Sequence, residues 1–400
     1  MSVSFRAVRA RLAWLSLAAL IIAAIAGCTL KSGGYNTSSP PKIRFFNASI
    51  DQSAVDVTVG TVLEASPLAF EGNTTYRTTQ TGTQPIVVTV TGTSAVVTQT
   101  TQDFNNDDRY SYILWGRSNA PQTIILRDNV DLPGGGAYKL RLINVAIDLG
   151  PLDLYVTSPG AVIDPNATPG IGNVLVGAAS DYVVPNSGDV QIVLTKAGTK
   201  TPVYTSSTIT LSERNAYAVV AYNRGNPNLV NAAVFTMDTL GSGQLVNSVQ
   251  GQTRLVNAVV GPPAINMLID TTTAIGGVPY AQASAYQPAV AGSHTVSIEA
   301  TTAPGASLAT STILFGGGGS NTVLSFGPAA SVQNVPLFDE NMPPLAAANA
   351  RIRVVNANAS SLNVQTFING NLAVGALTPG GPSLYFELAA GSYLFSFVNT

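Results

Sequence analysis

The chain of 400 residues is short of the side chains that most often carry chemistry. It holds one cysteine, Cys28, and one histidine, His294. With no second cysteine, a disulfide framework within the chain is excluded. A zinc site or a catalytic triad built on His294 would need partners that the sequence around it does not offer. Charged residues make up 10% of the chain, against about 25% in typical soluble domains. No basic cluster stands out and the sequence pI is about 5.4, so electrostatic binding to nucleic acid is not expected. Helical periodicity is missing after residue 28. What is abundant is different: 46% apolar residues, 37 glycines and 24 prolines, with much Thr and Val. That mixture reads as short strands joined by many turns, and its length calls for about two to four domains.

The first stretch reads as an export signal. Arg6, Arg9 and Arg11 precede an apolar run from Leu12 to Ala26, interrupted by Ser16. The run is shorter than the roughly 20 residues of a spanning helix and ends in Ile25-Ala26-Gly27-Cys28. Small residues before a cleavage point followed by a lone cysteine resemble a bacterial lipoprotein signal, in which the thiol takes a diacylglycerol. The expectation is a signal peptide over 1–27, lipid attachment at Cys28 and a flexible tether over 28–41. Removing 1–27 leaves 16 basic and 21 acidic residues, a net charge of −5. Thr29 rather than Asp after the cysteine favours the outer membrane.

Beyond the tether the chain repeats. Arg-x-x-Asn occurs at Arg44–Asn47, Arg141–Asn144, Arg254–Asn257 and Arg353–Asn356. Nine residues after each Asn stands a polar residue between apolar ones: Asp56, Asp153, Asn266 and Gln365. Further on come Tyr-x5-Gly pairs at Tyr76/Gly82, Tyr182/Gly188, Tyr286/Gly292 and Tyr385/Gly391. The Asn-to-Tyr spacing is 29 in copies one, three and four, and 38 in copy two, which carries an inserted loop. In the first three copies an apolar strand ending in acid closes the pattern, in "TIILRDN", "AAVFTMD" and "VPLFDEN". Period-2 alternation punctuated by Gly, Pro and Asn predicts tandem immunoglobulin-like antiparallel β-sandwiches over 42–138, 139–250 and 251–349. The fourth copy, 350–400, has matches for only about half of a sandwich, and a sequence cut short within it is the expectation.

"RVVNANASSLNVQTFI", "LRLINVAIDLGPLDLYV" and "LSERNAYAVVAYN" resemble the bacterial extracytoplasmic domain-of-unknown-function family 4397 across residues 42–400. The resemblance implies exported or surface proteins, often with tandem copies. It supplies no catalytic residues.

The repeated residues have structural readings. Arg44, Arg141, Arg254 and Arg353 are expected to pair with the polar residue nine beyond the Asn, on an adjacent strand, with a repeated ligand site as the competing reading. The Asn is expected to turn the chain by bonding the backbone two residues on. The tyrosines are expected to pack their rings and satisfy their hydroxyls at strand ends, with stacking on a sugar as the competing reading. His294 aligns with Tyr393 and reads as a strand-face residue. "DFNNDD" at 103–108 starts like a calcium loop but has Asp108 and Leu114 where Gly and Glu belong, so it reads as a polar hairpin loop. "FGGGGS" at 315–320 has no lysine for a phosphate loop and reads as a flexible turn.

Function narrows accordingly. The expected protein is no enzyme and has no cofactor or metal: it is a lipid-anchored cell-envelope string of sandwich modules that spaces, scaffolds or binds, as an adhesin does. An envelope protein or polysaccharide is the expected partner besides the membrane. A carbohydrate- or envelope-polymer-binding protein is the alternative. An extracytoplasmic hydrolase is a remote one, because no acid pair recurs with the repeats.

Overall fold

Short runs of Val, Thr and aromatic residues, broken by Gly, Pro and Asn, fold as strands throughout the computed structural model. It describes residues 38–400 apart from 224–228, 343, 345, 347 and 361. The signal segment, Cys28 and the tether up to residue 37 lie outside the described residues. Among the described residues one three-residue 3-10 turn, Ala329–Ser331, interrupts the strands.

Copy one has two sheets. The first runs in the order Arg77–Thr78, Lys42–Asn47, Arg109–Arg117, Ala120–Arg127, and the second Val62–Leu68, Val55–Val59, Gly82–Val90, Val96–Phe104. Copies two and three repeat this plan, with Lys139–Asn144 beside Ala216–Tyr222 and Gln250–Val260 beside Ser320–Pro328 in their first sheets. Copy four contributes a two-stranded sheet, Asn349–Ile352 with Phe386–Ala389, and a three-stranded one, Asn371–Leu377, Val364–Ile368, Phe395–Asn399. Among otherwise antiparallel strands, each of the first three copies contains one parallel pair: Arg44 lies opposite Ser111, Arg141 opposite Ala218 and Arg254 opposite Thr322. The chain visits the second sheet between these two strands, which gives the long crossover that a parallel pair requires.

Alternating apolar residues fill each sandwich. Copy one buries Ile43, Phe45, Val57, Ile86, Val88 and Tyr112 between its sheets. The repeated Asn locks the corner. At all four sites its Oδ1 accepts from the backbone N–H two residues on, at 3.0, 3.1, 2.9 and 2.9 Å. Its Nδ2 donates across to carbonyls of the second sheet, Leu68, Val174, Val278 and Leu377. The turn reading therefore holds, and the same side chain also staples the two sheets.

The first sheets of copies one and two are largely buried on both faces. All seven residues of Ala216–Tyr222 are buried. The outward side chains Phe46, Ala48 and Ile113 of copy one pack on Ile143, Val145, Val220 and Phe235 of copy two, with Phe46 edge-on to Tyr222 and Phe235. In the same way Leu324, Phe326 and Leu337 of copy three meet Val355 and Ala357 of copy four. A strand buried on both faces reads as a continuous apolar run rather than an alternation, which is why "AYAVVAY" lacks polar residues.

Between copies two and three the chain is held on both sides. Ser207 N donates to Asn247 O and Val249 N to Thr205 O, at 2.9 and 2.8 Å, while Ala291 N donates to Val249 O at 2.9 Å. The glycines of "FGGGGS" belong to this contact. A Cβ on Gly317 would stand 1.8 Å from the Ser248 carbonyl oxygen, and one on Gly318 (φ +67°) 2.1 Å from Asn231 Oδ1. The run is a close-packed crossing from one sheet to the other, not the flexible turn expected from its composition. "DFNNDD" also crosses between sheets rather than closing a hairpin, and Asp108 pairs with Arg127 at 2.7 Å.

Candidate functional site

The repeated arginines converge on the junctions between copies. Parallel pairing sets Arg44 beside Ser111, and its Nε donates to Ser111 Oγ at 2.7 Å. Ser111 Oγ in turn donates to Asp128 Oδ2 at 2.5 Å. Asp128 is fully buried and accepts from two copies. Arg44 Nη2 is 3.4 Å from its Oδ2, and Arg141 Nη2 of copy two donates to its Oδ1 at 2.6 Å. Tyr76 Oη donates to the same carboxylate at 2.6 Å while its ring lies 4.7 Å under the Arg44 guanidinium. Copy two closes the cluster with backbone carbonyls: Arg44 Nη1 donates to Thr236 O and Gly241 O at 2.7 and 3.0 Å. Desolvation, then the Asp128 charge, raises the Tyr76 hydroxyl above its ordinary range.

Copies three and four repeat the arrangement. Arg254 Nε donates to Thr322 Oγ1 at 2.8 Å and Thr322 Oγ1 to Asp339 Oδ2 at 2.5 Å. Tyr286 Oη donates to Asp339 Oδ2 at 2.8 Å, and Arg353 Nη2 of copy four to Asp339 Oδ1 at 2.5 Å. Each arginine again stands over its tyrosine, Arg254 over Tyr286 at 4.8 Å and Arg353 over Tyr385 at 4.9 Å. Desolvation, with the hydrogen bond to Asp339, pushes the Tyr286 hydroxyl up to about 12.

Copy two lacks the acid. Its backbone register places Met237, not Asp238, where Asp128 and Asp339 stand: Met237 N donates to Ala216 O as Asp128 N does to Arg109 O. Ala218 occupies the place of Ser111 and Thr322. The consequence is visible in the two groups left over. Arg141 Nε and Tyr182 Oη are buried with no hydrogen-bond partner among the described residues. Met237 instead offers its sulfur to Arg44 Nη2 at 3.1 Å.

The pairing expected between each Arg and the polar residue nine beyond the Asn does not occur. Those residues sit in the second sheet, where three of them accept hydrogen bonds from hairpin turns or from the neighbouring strand. Asp56 accepts from Thr91 Oγ1 and Gly92 N, Asp153 from Asn173 N and Gly198 N, and Asn266 from Gly277 N. His294 has an acidic partner that the sequence did not reveal. Its Nδ1 lies 2.5 Å from Asp270 Oδ2, its ring stacks on Phe315, and the hydrogen bond holds the Asp270 carboxyl below its ordinary value. Among the described residues no group of three or more His, Cys, Asp or Glu is placed to hold a metal ion.

The chain also matches a family model described as Domain of unknown function (DUF4397), over residues 41–155 and 251–365. No curated protein matches the chain. The two matched stretches start 210 residues apart (251 − 41), the length of two copies rather than one. Each begins just before one Arg-x-x-Asn and runs past the next, so each encloses a complete cluster: Arg44, Asp128 and Arg141 in the first, and Arg254, Asp339 and Arg353 in the second.

Proposed function

The chain belongs to the DUF4397 family, and we propose that it is a non-catalytic, lipid-anchored envelope protein whose sandwiches act as paired, rigid modules that space, scaffold or bind. The observation that carries this reading is the use made of the buried ionic groups. Asp128 and Asp339 are fixed by arginines from two successive copies, an arrangement that orients modules and leaves both carboxylates tied. Face-to-face burial of the first sheets and the bonded linker at 247–249 suit a device that holds a surface at a set distance and angle. Loosely tethered beads would not need them. The Ile25-Ala26-Gly27-Cys28 stretch supports anchoring through a lipid on Cys28, in the outer membrane of a bacterial envelope, with an envelope protein or polysaccharide as partner.

Fractionating cells that express the full chain and its Cys28→Ser variant tests this. Mass spectrometry should find the mature N-terminus at Cys28 carrying acyl groups, and the variant should be released or remain an uncleaved precursor. A mature N-terminus at another residue without lipid would overturn the anchoring.

A further inference from the structure

Between copies two and three lies a cleft of about 450 Å³, within the range of about 300–1,000 Å³ usual for small-ligand sites. Its apolar walls include Pro202, Pro288 and the ring of Tyr286. Tyr286 is a fixed wall, because its hydroxyl is bonded to Asp339 and one face of its ring lies against Arg254. The polar groups on the same lining are Lys196, Thr201 and Gln250. Lys196 makes no ion pair among the described residues, and the Gln250 amide and the Thr201 hydroxyl are not drawn into the hydrogen bonds that hold the fold together. Lys196, Gln250 and Thr201 therefore border one open space that also has apolar sides. The cleft is also pre-formed: the linker hydrogen bonds and the glycine crossing at 316–319 fix the two copies that bound it, so little ordering entropy opposes occupancy.

We propose that this cleft binds a carboxylate-bearing saccharide unit of an acidic polysaccharide. The apolar C–H face of a sugar ring suits the Tyr286 and proline walls. Ring hydroxyls, each both donor and acceptor, match Gln250 and Thr201. The carboxylate meets Lys196, a cation with no ion pair among the described residues, on a chain of net negative charge. The inference rests on the reading of the chain as an exported module, since only there would it meet such polymers.

The test is calorimetric titration of the detergent-solubilised full chain with trigalacturonate, using maltotriose as the neutral probe. Saturable binding of trigalacturonate is expected, at least about tenfold tighter than maltotriose and weakened about tenfold or more in Lys196→Ala and in Gln250→Ala. Both side chains are at least partly exposed, and melting curves matching the parent would establish that the variants fold. Absence of saturable trigalacturonate binding, equal affinity for maltotriose, or unchanged affinity in both variants would overturn the proposal. A lipidated chain at the membrane that fails to bind trigalacturonate would sink this inference alone and leave the envelope reading standing.

Discussion

The junction between copies one and two and that between copies three and four use the same parts with different closure. In both, a buried aspartate bridges arginines from successive copies, a Ser or Thr relays the first arginine's Nε, and a tyrosine hydroxyl completes the acid. In the first junction the Arg44 side chain is 2% exposed, because Thr236 and Gly241 supply carbonyls to it. In the second, the Arg254 side chain is 34% exposed and lies 3.9 Å from its acid. In both junctions the acid marks the meeting of two copies, and in the first the closing strand and turn of copy two keep Arg44 dry. It also explains how copy two can omit its acid. One carboxylate per pair serves both arginines, and Met237 and the carbonyls take up the remaining donors of Arg44.

The largest expected effect comes from removing the shared acid. Asp128→Ala leaves Arg44 and Arg141 buried without a counter-charge and should cost about 3–5 kcal/mol. Asp339→Ala should cost less, about 1–3 kcal/mol, because Arg254 already reaches water. Urea unfolding, with hydrogen exchange to assign each transition to a pair of copies, measures both. Equal losses would break the comparison.

The contact between copies two and three extends it to a junction without an aspartate. Gly317→Ala drives a methyl into the Ser248 carbonyl and should cost about 1–3 kcal/mol. Gly316→Ala, where a Cβ meets nothing within 4 Å, should stay within about 0.5 kcal/mol of the parent. If the two variants melt alike, the crossing is not close-packed in solution.

The smallest expected effect is at alkaline pH. The Tyr286 hydroxyl is raised from its ordinary 10.0 to about 12, so the unfolded chain loses this proton first. The resulting stabilisation is complete below pH 10 and disappears as pH rises from about 10 to 12. Tyr286→Phe should lower the slope of that part of the stability–pH curve, to which other raised tyrosines such as Tyr138 also contribute, without abolishing folding. Tyrosinate absorbance follows the titration, and a parent curve already flat over this window would contradict the assignment.

How much of this was legible in the sequence depends on how far each interaction reaches. The Asn of Arg-x-x-Asn was readable because it acts on the backbone two residues ahead. The arginine's partner was not, since Asp128 lies 84 residues after Arg44 (128 − 44) and the cluster is completed from the next copy. The polar residue nine beyond the Asn stood closer in sequence but belongs to the other sheet. The acid ending "AAVFTMD" is Asp238, one residue away from the true equivalent, because only the backbone register singles out Met237. Glycine content suggested slack at 316–319, whereas at Gly317 and Gly318 the contact with copy two leaves no room for a Cβ. The uninterrupted apolar run at Ala216–Tyr222 did carry a usable sign that one sandwich packs on another.

The central claim is that one acid, seated in either copy, holds a pair of copies together. Exchanging the two seats tests it most directly, by urea unfolding of the parent, Asp128→Met, Met237→Asp and the double variant. The account predicts that the double variant recovers most of the stability lost in Asp128→Met, because Asp at 237 faces Arg44 and gives Tyr182 a partner. A double variant no more stable than Asp128→Met would contradict it.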